Sequence, residues 1–169
     1  MEVSLTVREI TTADYHLLEE FIYHAIHILP GAKMPSREII NQPDISIYVQ
    51  GFGVDARRGD CGVIAEVDGV AAGMAWTRII KGYGHIDSDT PELAVSVLPQ
   101  YRGKGYGSEL MHGLFEALRR RGFTQTSLAV QKTNPAARFY TRLGYEIIGE
   151  NAEEWIMLKH LRKEEFCHE

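Results

Sequence analysis

Apolar and polar positions alternate in some stretches of the chain and follow helical spacing in others. Ser4 to Ile10 alternate as in a first β-strand. Between residues 15 and 28 the apolar positions recur three and four apart, after capping residues at 12–14 and before Pro30, which predicts a helix. A short second helix is predicted over residues 36–40 behind a Ser cap, whereas 41–60 shows no decided pattern.

The pattern changes to strands after residue 61. Two β-rich runs flank the Asp68-Gly69 pair, which is typical of a two-residue hairpin turn. Helical spacing returns over Tyr106–Arg121 and Pro135–Leu143, and a glycine follows each run. The predicted strands of this half cover residues 62–67, 70–80, 92–98, 126–131, 145–148 and 155–161. Strands before and after two well-marked helices predict one α/β domain over residues 1–169, with a mixed sheet and at least one parallel crossover.

Composition and charge narrow the class of protein. With 169 residues and 44% hydrophobic content the chain can bury one core. A net charge of -5 and a pI near 5.8 argue against general binding of nucleic acid and favour a cationic small-molecule partner. No run approaches the roughly 18 apolar residues of a membrane span, and no basic, apolar leader is present, so a cytoplasmic protein is expected. Cys61 and Cys167 form no CxxC pair, and two free thiols are expected.

The stretch QYRGKGYG, residues 100–107, joins a predicted strand to a predicted helix. Unpaired backbone N–H groups, the positive end of a helix dipole and closely approachable glycines make such a turn an anion site, to which Arg102 and Lys104 add charge. The spacing fits neither a Walker A loop nor a Rossmann turn. An ordinary glycine-rich strand-to-helix connection is the alternative.

Two motifs decide between these interpretations. The stretch VSVLPQYRGKGYGSELM, with NPAARFYTRLGY at 134–145 about thirty residues later, resembles the GNAT superfamily of acetyl-CoA-dependent N-acetyltransferases. The resemblance is strongest from Glu92 to Ile148. It implies a GNAT-like single domain with a mixed, mostly antiparallel sheet of six or seven strands and helices on both faces. It also implies a cofactor core over about 92–148 and early helices, about 12–40, that cover the acceptor site.

The same resemblance implies which residues hold acetyl-CoA, the acetyl donor. By this resemblance, the pyrophosphate is bound by the glycine loop and the first helical turn, which comprise Arg102, Gly103, Lys104, Gly105, Tyr106, Gly107 and Ser108. The strand containing Val95 and Val97 matches the one that pairs with the pantetheine arm, provided that it splays from the next strand. Asn134 matches a pantetheine contact, although an N-cap before Pro135 would equally explain an Asn there.

Two residues match catalytic positions of the family. Tyr140 matches the tyrosine that donates a proton to the departing thiolate, whereas composition alone would favour a core aromatic. Glu92 matches the frequent position of the base that must deprotonate the acceptor ammonium. Asp87 and Asp89 are rivals, a water chain could carry the proton, and each of these carboxylates could instead be a solvated charge.

Other chemistry-bearing residues have simpler explanations. His24 and His27 are three apart but lack further ligands, so no metal is expected. They would either border the acceptor pocket or simply lie on a partly exposed helix face. Trp76 and Tyr48 could face a cationic amine, or Trp76 could simply pack in the core. The run from Arg119 to Arg121 is typical of a helix C-terminus.

The expected function is therefore acetyl transfer from acetyl-CoA to a primary amine of a small molecule, by direct attack through a tetrahedral intermediate. Neither cysteine lies in the matched block, so no covalent enzyme species is expected. An acetyltransferase acting on protein N-termini or lysines is one alternative, and a non-catalytic acyl-CoA sensor is another. A homodimer is consistent with the resemblance.

Overall fold

The computed structural model describes residues 2–54 and 57–162, so Cys167 lies outside the described part. The strands are β1 Leu5–Glu9, β2 Cys61–Val67, β3 Val70–Arg78, β4 Glu92–Val97, β5 Gln125–Gln131, β6 Glu146–Glu150 and β7 Glu154–His160. The α-helices are α1 Leu18–Ala25, α2 Pro43–Ser46, α3 Tyr106–Arg120 and α4 Ala136–Arg142. Short 3-10 helices cover Thr12–Leu17, Arg37–Asn41 and Pro99–Tyr101. No helix in the described ranges is long and apolar enough to cross a bilayer.

The seven strands form one open sheet in the order β1-β2-β3-β4-β5-β7-β6. Every neighbouring pair is antiparallel except β4 and β5, which α3 connects as a parallel crossover. Asp68 and Gly69 both have positive φ between β2 and β3, as the predicted two-residue hairpin turn requires. The prediction of a mixed, mostly antiparallel α/β sheet is confirmed.

Helices cover both faces of the sheet. The apolar side of α3, together with Phe139 and Tyr140 of α4, packs on one face in the larger core. The apolar residues of α1 pack on the other face, around Trp76. Alternation along β4 places Leu93, Val95 and Val97 toward the α3 side and Ala94 toward the α1 side.

The segment that the sequence left undecided is held against β3 by two buried side chains of that strand, Arg78 and Trp76. Arg78, 1% exposed, bonds the Asp60 carboxylate at 2.9 Å and donates to the carbonyls of Gln50 and Ile47 at 2.6 and 3.2 Å. Trp76 Nε1 donates to the carbonyl of Tyr48 at 2.9 Å. These contacts fix the segment around Tyr48 without long secondary structure, which explains why no periodicity marks it.

The first helical region differs from its prediction. The chain forms a 3-10 helix from Thr12 before α1 begins at Leu18, and α1 ends at Ala25 because Ile26 adopts an extended backbone. At the start, the Asp14 carboxylate accepts from the N–H of Thr11 and binds Arg8, which holds the pKa of Asp14 down to about 2. The tight first turn is therefore fixed by a side-chain cap and an ion pair rather than by helical spacing.

Candidate active site

Strands β4 and β5 are paired at a single position and then diverge. Glu92 lies opposite Ser127, whose N–H donates to the carbonyl of Pro91 at 3.0 Å, and no further pair joins the two strands. The gap opens into a cavity of about 270 Å³. Its wall comprises Ile22, Ala25, Ile26, His27, Asp44, Ile45, Tyr48, Tyr83, Leu93, Ala94, Val95, Leu128, Ala129, Val130, Gln131, Asn134, Tyr140, Glu153 and Glu154.

A turn before β4 packs against β5 beside the one paired position. Gly84 lies so close to the backbone of β5 that a Cβ there would be 2.7 Å from the carbonyl carbon of Leu128. Ser127 Oγ donates to the carbonyl of Gly84 at 2.7 Å. The turn thus fills the narrow end of the split, in a stretch that the sequence described only as loose.

The edge of β4 that faces the gap carries free backbone groups. Leu98 N–H donates to Ala72 on β3 at 2.8 Å, so alternation turns the backbone groups of Val97 and Val95 the other way, toward the gap. The Val97 carbonyl accepts from Arg102 Nε at 2.8 Å. The N–H groups of Val95 and Val97 have no acceptor among the described residues, so an extended ligand lying along the strand could bind them.

The glycine loop has the geometry of an anion site. Gly103 and Gly105 adopt φ of 76° and 82°, and a Cβ at either would meet nothing within 4 Å. In the described chain, the six backbone N–H groups of residues 103–108 have no protein acceptor. The first three of these residues precede α3, and the other three lie in its first turn. Arg102 instead directs its guanidinium to the carbonyls of Val97 and, at 3.4 Å, His24, so its side chain ties the loop to β4 and α1.

Asn134 and Tyr140 both reach the cavity from the β5–α4 region. Asn134 Oδ1 accepts from the N–H of Ala136 at 2.9 Å, so it caps the first turn of α4 as well as lining the cavity. The half-buried Tyr140 packs edge-on against Tyr145 with ring centroids 5.8 Å apart. Burial raises the pKa of Tyr140 to about 12, so its phenol stays protonated at neutral pH.

Glu92 lies behind the cavity wall rather than on it. Its side chain is 1% exposed, and its carboxylate accepts from the N–H groups of Gly82 and Gly84 at 2.9 and 3.0 Å and from Tyr48 Oη at 3.0 Å. Burial raises the pKa of Glu92, and these three hydrogen bonds oppose that shift. Tyr48, which also accepts from the N–H of Tyr83 at 2.9 Å, therefore stands between Glu92 and the cavity.

The rival carboxylates lie elsewhere. Asp87 and Asp89 are exposed, and neither lines the cavity. Asp87 accepts from the Thr90 hydroxyl at 2.8 Å and from the N–H of Asp89, and these bonds lower its pKa. Both features make Asp87 a poorer base than a buried carboxylate beside the cavity.

The two early histidines have protein partners. His24 Nε2 lies 3.0 Å from Glu20 Oε1, one helical turn away. His27 lines the cavity and lies 3.2 Å from Thr133 Oγ1 across its mouth. Within the described ranges, no group of three His, Cys, Asp or Glu side chains could hold a metal ion.

The chain that forms these split strands, the glycine loop and the cavity tyrosine matches a known protein family over most of its length. Residues 25–145, more than two thirds of the chain, match the model of the Acetyltransferase (GNAT) family. The chain belongs to this family. No curated protein sequence matches the chain.

Solved GNAT structures share the fold at low sequence identity. A putative acetyltransferase from Salmonella typhimurium, yncA, solved with its cofactor acetyl-CoA, matches at TM-score 0.66 and 20% identity over 95% of each chain. The PaiA N-acetyltransferase of Thermoplasma acidophilum, solved with coenzyme A, matches at TM-score 0.68 and 17% identity over 93% of this chain and 99% of that one. A ribosomal-protein alanine N-acetyltransferase from Escherichia coli matches at TM-score 0.63 and 19% identity over 95% of this chain and 96% of that one.

This GNAT acetyltransferase also has cavity residues that no sequence motif indicated. Asp44, Tyr83, Glu153 and Glu154 reach the cavity from the undecided segment, the loose turn and the start of β7. Tyr83 donates its hydroxyl to the Asp44 carboxylate. Trp76, in contrast, is 1% exposed and packs in the core, as the simpler of its two interpretations required. Only the tertiary structure brings the four residues together, because nothing in their spacing links them.

Proposed function

We propose that this GNAT acetyltransferase transfers the acetyl group of acetyl-CoA to a primary amine of a small molecule by direct attack. The observation that carries the proposal is the split between β4 and β5. The cavity behind it meets the open backbone edge of β4, the Tyr140 hydroxyl and the Tyr48–Glu92 pair. The acetyl donor, the group that protonates the departing thiolate and the group that deprotonates the amine would therefore meet in one cavity.

The residues present fit acetyl-CoA, which when bound supplies a thioester-activated acetyl group. The free N–H groups of residues 103–108 would hold the pyrophosphate at the N-terminus of α3, with Lys104 adding charge. The N–H groups of Val95 and Val97 would hold the pantetheine arm as a neighbouring strand does, and Asn134 lies on the same wall. The Arg102 side chain contributes by holding the loop to β4.

Tyr140 is the proposed acid. With its pKa raised to about 12 it keeps its proton at neutral pH, and its hydroxyl has no protein partner among the described residues. It would first donate a hydrogen bond to the departing sulfur and then give up its proton as the thiolate charge develops. A tyrosine locked to another side chain could not make this exchange.

Glu92 is the proposed base, acting through Tyr48. The acceptor ammonium would give a proton to Tyr48 Oη while Tyr48 passes its own proton to Glu92 Oε2, along the 3.0 Å hydrogen bond already present. The Tyr83 N–H uses one lone pair of Tyr48 Oη, and the other remains for the acceptor. Burial raises the pKa of Glu92, which makes the carboxylate a better proton acceptor.

Direct attack follows from what the cavity wall offers. Among residues 2–54 and 57–162, no Cys, Ser or Thr that could be acetylated on the way lines the cavity. Cys61 is buried in the larger core, where burial raises the pKa of its thiol to about 11. A thiol held neutral away from the cavity is a poor nucleophile.

The kind of acceptor is argued from the shape of the site. The end of α1, the segment around α2 and the turn carrying Tyr83 border the cavity on the acceptor side, which suits a small amine. An acceptor at a protein N-terminus or lysine is the second candidate, since a ribosomal-protein alanine N-acetyltransferase has the same fold. A homodimer stays a prediction.

The test is thiol release from acetyl-CoA over a panel of small amines and peptides, with Tyr140→Phe compared against Tyr15→Phe. We expect release with small amines, a loss of about 100-fold in kcat for Tyr140→Phe, and little change for Tyr15→Phe, whose ring packs on Phe52 outside the cavity. CoA binding without release on any acceptor would favour the sensor. Release only with peptides would favour the protein acetyltransferase, and release unaffected by Tyr140→Phe would refute the acid role.

A further inference from the structure

The acceptor side of the cavity is strongly acidic. Three of its lining residues, Asp44, Glu153 and Glu154, carry carboxylates, and the lining formed by the described residues includes no Lys or Arg. We call these three residues the acidic rim. Much of the remaining wall is apolar, with Ile22, Ile45 and Leu128 among its members.

The acidic rim is built from two sides of the cavity. Asp44 belongs to α2, on the segment that Arg78 holds against β3, whereas Glu154 begins β7 and Glu153 immediately precedes it. Gln131, also in the cavity wall, pairs with Glu154 at the end of β5. The negative groups thus face one space from separate parts of the fold.

Two of the three tyrosines that line the cavity, Tyr48 and Tyr83, experience these charges. Burial and the Glu92 charge raise the pKa of Tyr48, and the charge of Glu154 adds to that shift. The hydrogen bond to Asp44 and then burial raise the pKa of Tyr83 to about 12, with further contributions from Glu154 and Glu153. Carboxylates on both sides therefore act on the same part of the cavity.

The acidic rim is not neutralised within the described part of the protein. Asp44 accepts from Tyr83, and Glu154 accepts from Asn151 Nδ2 at 3.3 Å, but no rim carboxylate there pairs with a Lys or Arg. Other carboxylates at the surface, such as Glu66 and Glu150, do form such pairs. The acidic rim therefore brings three carboxylates without a basic partner in the described ranges to one cavity.

This charge works against the reaction of a simple monoamine. The reacting nitrogen must be neutral when it attacks, and nearby carboxylates favour its ammonium form. They would hold the substrate before reaction more tightly than the transition state, which does not accelerate transfer. The acidic rim becomes useful when it binds a second cation that stays charged throughout.

We infer that the acceptor is an aliphatic diamine or polyamine, with one amine reacting near Tyr48 and a second ammonium held by Asp44, Glu153 and Glu154. The apolar wall suits the methylene chain between the two nitrogens. The aromatic face of Tyr83, 47% exposed, offers a further surface to the held cation. This inference rests on the proposed function and specifies its substrate class.

The experiment compares diaminobutane with n-butylamine, which share a chain length and differ in the second amine. The rim variant combines Asp44→Asn, Glu153→Gln and Glu154→Gln. Its control combines Glu19→Gln, Glu116→Gln and Glu146→Gln, which remove the same charge from exposed positions outside the cavity. Initial rates of thiol release give kcat/KM for each amine, and calorimetry gives the affinity of each amine for the protein.

In the native protein we expect kcat/KM for diaminobutane to exceed that for n-butylamine by about tenfold or more. The rim variant should lose most of this ratio through KM, whereas the control variant should keep it. Calorimetry should show tighter binding of the diamine and loss of that preference in the rim variant.

Three results would overturn the inference. Equal kcat/KM for the two amines, an unchanged ratio in the rim variant, or a basic peptide that is preferred over the diamine would each exclude a small polycationic acceptor. A protein that releases no thiol with any amine contradicts the proposed function instead. In that case diamine binding measured by calorimetry still tests the acidic rim.

Discussion

Tyr48 connects the buried Glu92 carboxylate to the cavity between β4 and β5. Its ring lines the cavity, its hydroxyl bonds the buried Glu92 carboxylate, and the carbonyl of the same residue is held by Trp76. Gly82 must lack a side chain for this arrangement, because a Cβ there would be 2.5 Å from the Tyr48 hydroxyl and 2.7 Å from Glu92 Oε2. The absence of a side chain at Gly82 therefore leaves the space that the Tyr48–Glu92 pair occupies.

Tyr48→Phe tests the proton path. We expect kcat for amine acetylation to fall about 100-fold near pH 7, because the ring remains while the link to Glu92 is lost. The loss should shrink toward pH 10, where free amine no longer needs a base. The measurement is initial thiol release as a function of pH.

The pH dependence of the native activity tests the same proposed base. Glu92 accepts a proton only when ionised, and burial raises its pKa, so activity should fall with decreasing pH at a midpoint above that of an ordinary glutamate. Glu92→Gln should remove that acidic limb. A variant Tyr48→Phe with native rates at neutral pH would show that Glu92 does not act through this residue.

Gly105→Glu tests the donor loop. We expect acetyl-CoA affinity to fall by more than about tenfold, because a carboxylate would stand where the pyrophosphate is proposed to bind and the left-handed backbone would be strained. Gly122→Glu is the control, since Gly122 has φ of 85° and equally open surroundings at the far end of α3. Calorimetry with acetyl-CoA and a thermal melt for each variant separate binding from folding, and equal affinities in the two variants would reject the loop assignment.

At the scale of elements, the split between β4 and β5 depends on a turn that belongs to neither strand. The turn carrying Gly82 and Gly84 donates two N–H groups to Glu92 and lies directly on the backbone of β5. It thereby occupies the place where further strand pairing would otherwise begin. The turn both shapes the narrow end of the cavity and satisfies the buried carboxylate.

Gly84→Ala should disturb both roles. The added methyl would meet the backbone of Leu128 and Ala129 at 2.7 to 2.9 Å, and backbone atoms cannot move aside as a flexible side chain can. We expect a lower melting temperature, corresponding to about 1–3 kcal/mol, and a reduced kcat for amine acetylation. Gly149→Ala is the control, because its Cβ would make only an ordinary contact at 3.9 Å. Equal melting temperatures for the two variants would show that the close packing of the turn does not limit stability.

At the scale of the whole molecule, a buried ion pair joins the acceptor side to the sheet. Arg78 and Asp60 have side-chain exposures of 1% and 3%, and Arg78 also satisfies two carbonyls of the segment that carries Tyr48. Arg121 donates to the Asp60 carbonyl at 2.8 Å, which adds the end of α3 to the same connection. Removing one partner would leave the other charge buried and unpaired.

Asp60→Asn is therefore expected to lower the free energy of unfolding by about 3 kcal/mol and to raise KM for the acceptor, because the Tyr48 segment loosens. Denaturant unfolding and amine-dependent rates measure the two effects. Glu150→Gln, which breaks the more exposed Lys132 pair, should change the unfolding free energy by less than about 1 kcal/mol. A similar small change in both variants would contradict a structural role for the buried pair.

Local patterns in the sequence were sufficient for most of the strands, for α3 and α4 and for the geometry of the glycine loop. Helical and strand periodicity depends on neighbouring residues, so the helices α3 and α4, the hairpin at Asp68-Gly69 and the strand containing Val95 could be predicted directly. The glycine loop could be predicted because the positive φ values and the free N–H groups belong to consecutive residues.

Tertiary structure alone decided the acceptor side. Tyr48 meets Glu92 across 44 residues of chain, and the acidic rim joins α2 to the start of β7, so no local spacing records these contacts. The segments involved are short turns fixed by Arg78, Trp76 and Gly84 rather than by periodic apolar faces. The sequence by itself thus determined the fold family and the form of the glycine loop, while long-range packing decided which side chains line the cavity.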